Sequence, residues 1–152
     1  MMMNKAPTIL NSIQEVVIRM LAQLYVLEGK KKNSDYISCL DYLTLYSKTF
    51  KFGSYDLHGQ MPYRLGELSS RLELGKESLK SLVAMGLCSV EASKNGFIYS
   101  ITASGKNVIN RLNTNYINNY INLAIDAQVY FNNYTDVDLL KYINGIAKAE
   151  RR

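Results

Sequence analysis

Histidine occurs once in the 152 residues, as His58, and cysteine twice, as Cys39 and Cys88. With one imidazole, a multi-histidine metal site or a serine–histidine triad would have to be built around a single ring. Neither cysteine belongs to a CxxC or other ligand-spaced set, so both read as small buried apolar side chains. No phosphate-cradling GxxxxGKS or GxxxxGKT loop occurs. No uninterrupted apolar stretch approaches the roughly 20 residues of a membrane-spanning helix. The opening MMMNKAPTILNSIQE turns polar too early for a signal-peptide core, which sets the expectation of a cytoplasmic protein with no membrane partner. These absences point away from an enzyme: no catalytic residue, metal ligand or cofactor is nominated.

What is present is a globular balance, 47% hydrophobic and 20% charged, in a chain long enough for one domain. Lys and Arg total 18 against 13 Asp and Glu, a net charge of +5. The dense basic clusters are Lys30-Lys31-Lys32 and Arg151-Arg152, and a lysine triplet between helices reads as a solvated turn. Nucleic-acid contact is therefore not strongly signalled.

Periodicity divides residues 1–152 into three parts of a single domain. An N-terminal helical pair is expected over residues 10–50. In its first helix Ser12 and Glu15 form a capping-box pattern ahead of Ile13, Val16, Val17, Met20, Leu21, Leu24 and Leu27, spaced three and four apart. Ser34 caps the second, running to about Thr49 and burying Tyr36, Ile37, Leu40, Leu43, Tyr46 and Phe50. Gly53, Gly59 and Pro62 then mark a long loop.

Residues 63–103 read as a winged helix-turn-helix core. A short helix over Tyr63 to Glu73 is broken at Gly75, and a second runs from Lys76 to Met85 and stops at Gly86. Leu87 to Ala92 and Phe97 to Thr102 read as strands joined at Asn95-Gly96, a pair suited to a tight hairpin turn. C-terminal helices follow over residues 104–150. The first is expected to run unbroken from Ala103 to Phe131, with Ser104 as a candidate cap. Taken as one helix it is apolar over more than half its circumference, which requires burial on two sides. Either both neighbours belong to this chain or one is another protein; the partner reading is preferred, with Tyr116, Ile117, Tyr120 and Ile121 as contacts. A last amphipathic helix spans Asp136 to Ala149. The fold class is mostly α (α+β), with a small β-hairpin.

An ordered series then stands out: Leu40-Asp41-Tyr42-Leu43, Leu57-His58, Pro62 with Arg64-Leu65-Gly66-Glu67-Leu68, Arg71, and Met85-Gly86-Leu87. Its order and gaps resemble the middle-component family of bacterial three-component ABC-ATPase systems, which includes the small subunit of the Lamassu anti-phage system. The resemblance covers roughly residues 12–105. Gly59 departs from it, standing where the family pattern tends to have proline, and the helix after Ala103 carries no matching motif. The resemblance implies a non-catalytic subunit beside an SMC-like ABC ATPase that senses invading DNA and an effector, commonly a nuclease. The small subunit would hold that complex together and inactive until triggered.

Within the series, Asp41, His58, Arg64, Glu67 and Arg71 are the candidate partner contacts. For Arg64, Glu67 and Arg71 an exposed ion ladder on a helix surface is the plainer reading. For His58 it is a ring hydrogen-bonding the loop backbone, and for Asp41 a buried structural hydrogen bond. A winged-helix transcription regulator is the alternative function. It would present Lys76, Lys80 and Lys94 to duplex DNA, but no arginine for guanine contact stands on that helix and Glu77 would repel phosphate, leaving weak nonspecific backbone contact.

Overall fold

The computed structural model describes residues 13–58, 67–94 and 96–150. Helix α1 (Ile13–Val26) carries the apolar stripe read from periodicity, with Val16, Met20, Leu21 and Leu24 buried. Gly29, at φ +87°, lets the chain turn after it into β1 (Lys32–Asn33). Helix α2 (Ser34–Leu45) follows, and every residue from Tyr36 to Leu45 is buried. Its sequence, apolar on all sides with only small or paired polar residues, is that of a central helix. It packs against α1 and against three helices that follow it in sequence: α3 (Glu67–Ala84), α5 (Asn115–Tyr130) and α6 (Asp136–Glu150). Its cap is Asn33, whose side chain accepts from the Tyr36 amide, and not Ser34, which lies inside the first turn. The expected cap Ser12 lies outside the described residues.

The helix-turn-helix expected over 63–85 is corrected by α3, which is one continuous helix through Gly75. Glycine is unfavourable in a helix interior, and read locally it signals a break. Here it is needed for contact. A Cβ at Gly75 would lie 2.0 Å from Ser38 Oγ and 3.1 Å from Ser38 Cβ, so the absent side chain lets α3 press against α2. The helix ends at Gly86, whose φ of +73° suits glycine, and the Leu87 amide donates back to the Leu82 carbonyl.

Strands β2 (Cys88–Ser93) and β3 (Gly96–Ile101) pair antiparallel, each shifted by one residue from the sequence expectation at both ends. Gly96 has φ +95°, and its turn partner Asn95 lies outside the described residues. The other edge of β3 pairs with β1, giving sheet order β1-β3-β2. In the hairpin, Cys88, Val90 and Ala92 face the same side as Ile101, Tyr99 and Phe97, the side turned toward α3.

The unbroken helix expected from Ala103 to Phe131 is also corrected. Helix α4 (Ala103–Arg111) is capped by Thr102, not Ser104, and ends at Leu112. Thr114 then caps α5, its hydroxyl accepting from the Ile117 amide. Threonine at a cap offers the backbone a partner outside the helix ladder, so an asparagine-rich stretch with two such caps divides. The break redirects α5 onto α1 and α2, where it buries Ile117, Tyr120, Leu123, Ala124 and Ala127. The wide apolar arc is thus divided between two helices, and on α5 much of it meets this chain's own core. Leu139 and Ile143 bury α6, and the Tyr142 hydroxyl donates to the Phe50 carbonyl. Among the described residues no helix is long and apolar enough to cross a membrane.

Candidate functional site

Of the residues singled out in the motif series, Asp41, His58, Glu67 and Arg71 come together where α1, α2, α3, α5 and the segment after α2 meet. Asp41 projects from the middle of α2 and is 5% exposed. Arg19, one helix away on α1 and fully buried, donates from Nε to Asp41 Oδ1 at 2.9 Å and from Nη2 to Oδ2 at 3.4 Å. From α5, the Tyr120 hydroxyl donates to Asp41 Oδ1 at 2.5 Å. Gln23, one turn beyond Arg19, donates from Nε2 to the hydroxyls of Thr44 (2.8 Å) and Tyr120 (3.0 Å). Gln128 donates to Gln23 Oε1 at 3.0 Å, and Thr44 to the Leu40 carbonyl at 2.6 Å. A buried charge without such partners would be very costly, and here the carboxylate is met by a two-pronged guanidinium and a phenol.

Toward the surface the network continues through Tyr116, whose hydroxyl hydrogen-bonds Arg19 and stands 2.7 Å from His58 Nε2. An arginine can only donate, so the Tyr116 oxygen accepts from Arg19. Burial, and then the neighbouring Arg19 and Arg71 charges, pull the His58 pKa down to about 4. For Asp41, burial opposes ionisation but the Arg19 ion pair outweighs it, holding the carboxyl below its ordinary range. Burial likewise works against the Arg19 charge, and Asp41 more than offsets it, so arginine's already high pKa rises further. Burial pushes Tyr116 up to about 12 and raises Tyr120 well above a normal phenol.

Helix α3 closes the rim. Arg71 donates from Nε to Glu67 Oε2 at 3.1 Å, its guanidinium carbon lies 4.8 Å from the centre of the Tyr42 ring, and Nη2 is 3.4 Å from the Tyr46 hydroxyl. The Tyr46 ring in turn meets His58 edge-on. This half-buried i,i+4 pair is seated on aromatic faces, which differs from the fully exposed ladder expected.

Each nominated residue that is described has a definite place. Asp41, Ile117 and Tyr120 are buried in the chain's own interior, while His58, Glu67, Arg71, Tyr116 and Ile121 are half-buried. Arg64 lies outside the described residues. Lys76, Lys80 and Lys94 are exposed and belong to a different surface, the outer side of α3 and the end of the hairpin. Cys39 and Cys88 are buried thiols, pushed up to about 12 and about 11 by burial. Among the described residues no group of three or more His, Cys, Asp or Glu could hold a metal ion.

Sequence reading missed Arg19 and Gln23, which supply the α1 side of the buried network. A signal was available: both fall among the apolar positions of α1, four residues apart on one face, where a solvent-facing side chain is not expected.

A family model described as ABC-three component (ABC-3C) system Middle Component 2 matches residues 9–151. The chain belongs to that family. As an ABC-3C Middle Component 2 protein it is one component of a multi-protein system. The match extends through α4, α5 and α6, where the sequence carried no recognisable motif. No curated protein and no solved structure matches this Middle Component 2 chain.

Proposed function

We propose that this Middle Component 2 protein is a non-catalytic small subunit of an SMC-like ATPase and nuclease complex of the Lamassu anti-phage type, acting in the cytoplasm, where it scaffolds the assembly and restrains the effector. The observation that carries the reading is the convergence of Asp41, His58, Glu67 and Arg71 on one network whose partners are already satisfied. Asp41 accepts from Arg19 and Tyr120, and His58 Nε2 is hydrogen-bonded to Tyr116. Such a centre holds the segment after α2 against four helices, which serves a shape that other proteins recognise. Partner contact at this end falls to the half-buried Glu67, Arg71, His58 and Tyr116, with Asp41 and Tyr120 supporting them from inside.

Co-expression with the products of the adjacent genes tests this directly. A stoichiometric complex containing a coiled-coil ABC ATPase is the expected result, and persistent failure to co-purify with any ATPase overturns it. Charge reversal at Arg71 should weaken the assembly more than it weakens the isolated fold.

A second reading, a winged-helix DNA-binding regulator, has one observation in its favour. The order helix, strand, helix, helix, strand, strand with sheet order β1-β3-β2 supports this reading, in which α3 would be the recognition helix. Against it, the exposed side of α3 alternates Glu73 and Glu77 with Lys76 and Lys80. Weak, salt-sensitive DNA binding in a gel-shift series suits an accessory subunit, whereas nanomolar, sequence-selective binding by the isolated chain would establish the regulator.

A further inference from the structure

The β2–β3 hairpin turns its apolar side toward α3, but it extends beyond the helix surface that could cover it. At its base Cys88 and Tyr99 are buried; nearer the turn, Val90 is 40% and Phe97 61% exposed. Val90 stands opposite Tyr99, and Phe97 opposite Ala92, so the uncovered pair lies on the same side of the sheet as the buried pair. Between this overhang and α3 is a cleft of about 230 Å³, lined by Lys80, Val83, Val90, Phe97 and Tyr99.

Basic side chains outnumber acidic ones around the cleft. Lys80 forms part of its wall, Lys76 lies one turn earlier on the same helix, and Lys94 stands in the hairpin turn beside β3; all three are exposed. Two carboxylates stand near, Glu91 and Glu77. Glu91 projects from the opposite side of the hairpin and is held by Lys31 at 3.0 Å. Glu77 lies farther round α3 and meets Lys80 at 3.6 Å with both side chains more than half exposed, a contact that water screens. Phosphate backbone has no use for an uncovered phenylalanine and valine, whereas an apolar side chain flanked by carboxylates satisfies both features.

We propose that this cleft is the docking site for an acidic, amphipathic segment of another protein component of the same system, which inserts one large apolar side chain against Val90 and Phe97 and sets its carboxylates toward Lys76, Lys80 and Lys94. The proposal rests on the multi-component reading above and names the surface that reading leaves unspecified.

The test uses the full complex with a photoreactive phenylalanine analogue at position 97. Cross-linking to a partner segment in which an apolar residue is flanked by Asp or Glu is expected. Phe97→Ser should weaken binding of a peptide of that segment at least tenfold, and Lys80→Glu severalfold, with a smaller effect at high salt. Replacing the partner's carboxylate by lysine should restore binding to Lys80→Glu. Unchanged thermal unfolding of both variants shows that the fold is retained, and should Phe97→Ser unfold, Lys80→Glu alone carries the test. A complex that assembles normally with no cross-link at position 97, or that tolerates Phe97→Ser, overturns the docking site and leaves the proposed function standing. A wild-type chain that forms no complex overturns both. Loss of duplex DNA binding in Lys80→Glu, without any protein cross-link, assigns the cleft to nucleic acid and also overturns it.

Discussion

Two regions of this molecule reverse the rule that polar groups face water and apolar groups avoid it, and they reverse it in opposite directions. Between α1, α2 and α5, an arginine, an aspartate, a glutamine and a threonine are hidden from solvent, each bonded to another. On the hairpin, a valine and a phenylalanine are left in water beside lysines. The first arrangement is complete within the chain, since every hydrogen bond that Asp41 accepts comes from α1 or α5. The second has an apolar wall and no occupant among the described residues. Polar groups inside define one geometry and punish any other; apolar groups outside remain to be covered.

The sharpest way to break the contrast is at Asp41. Asp41→Ala leaves the Arg19 charge buried without its carboxylate and should cost about 3–5 kcal/mol in urea unfolding. Replacing both partners, Arg19→Met with Asp41→Leu, should cost less than Asp41→Ala alone, because no orphaned charge remains. A larger loss from the double variant would mean that the pair is itself a strong source of stability.

Gly75→Ala comes next, at about 1–3 kcal/mol, since the new methyl meets Ser38 where α3 touches α2. Ser38→Ala in the same chain should recover part of that loss. Among the described residues the Ser38 hydroxyl has no hydrogen-bond partner, so its removal opens space at little expense. Indifference of Gly75→Ala in a thermal melt would show that the two helices can part.

His58 should give a smaller, pH-dependent effect. Its folded pKa of about 4 lies below the ordinary value of 6.5, so the unfolded chain binds its proton first as pH falls. Its contribution is fully present above pH 6.5 and is lost as the pH falls from there through 4. His58→Asn should flatten the stability profile across that window, as read by urea unfolding at a series of pH values. An unchanged slope would place the proton uptake elsewhere.

The smallest effect belongs to the hairpin. Phe97→Ser should alter unfolding free energy by no more than about 0.5 kcal/mol, because the ring is mostly solvated in the isolated chain. If it destabilises strongly, the ring is part of the core, and the contrast between the two regions fails.

Regular periodicity was enough to find α1, α2, α6 and the hairpin, and glycines at positive φ marked the ends of α1 and α3. Two boundaries were misread for a common reason. Gly75 looked like a break because propensity is local, while the contact with Ser38 that requires glycine is made across the fold. The division at Leu112 to Thr114 was hidden because asparagine and threonine serve as poor helix interior and good cap alike. The motif series led to Asp41, His58, Glu67 and Arg71, but the partners Arg19, Tyr116 and Tyr120 lie on other helices, where no spacing rule connects them.

By itself, the order of residues determined the helical class, the hairpin, the lack of a cluster of histidines and cysteines, and the family, because each depends on neighbours within a few positions or on motifs in sequence. Only the tertiary structure decided that Asp41 is locked by Arg19 and Tyr120, that much of the apolar arc of α5 is spent inside the chain, and that Phe97 is left uncovered. Burial and pairing depend on which distant surfaces meet, and residues 22 and 79 positions apart become partners only when three helices are packed.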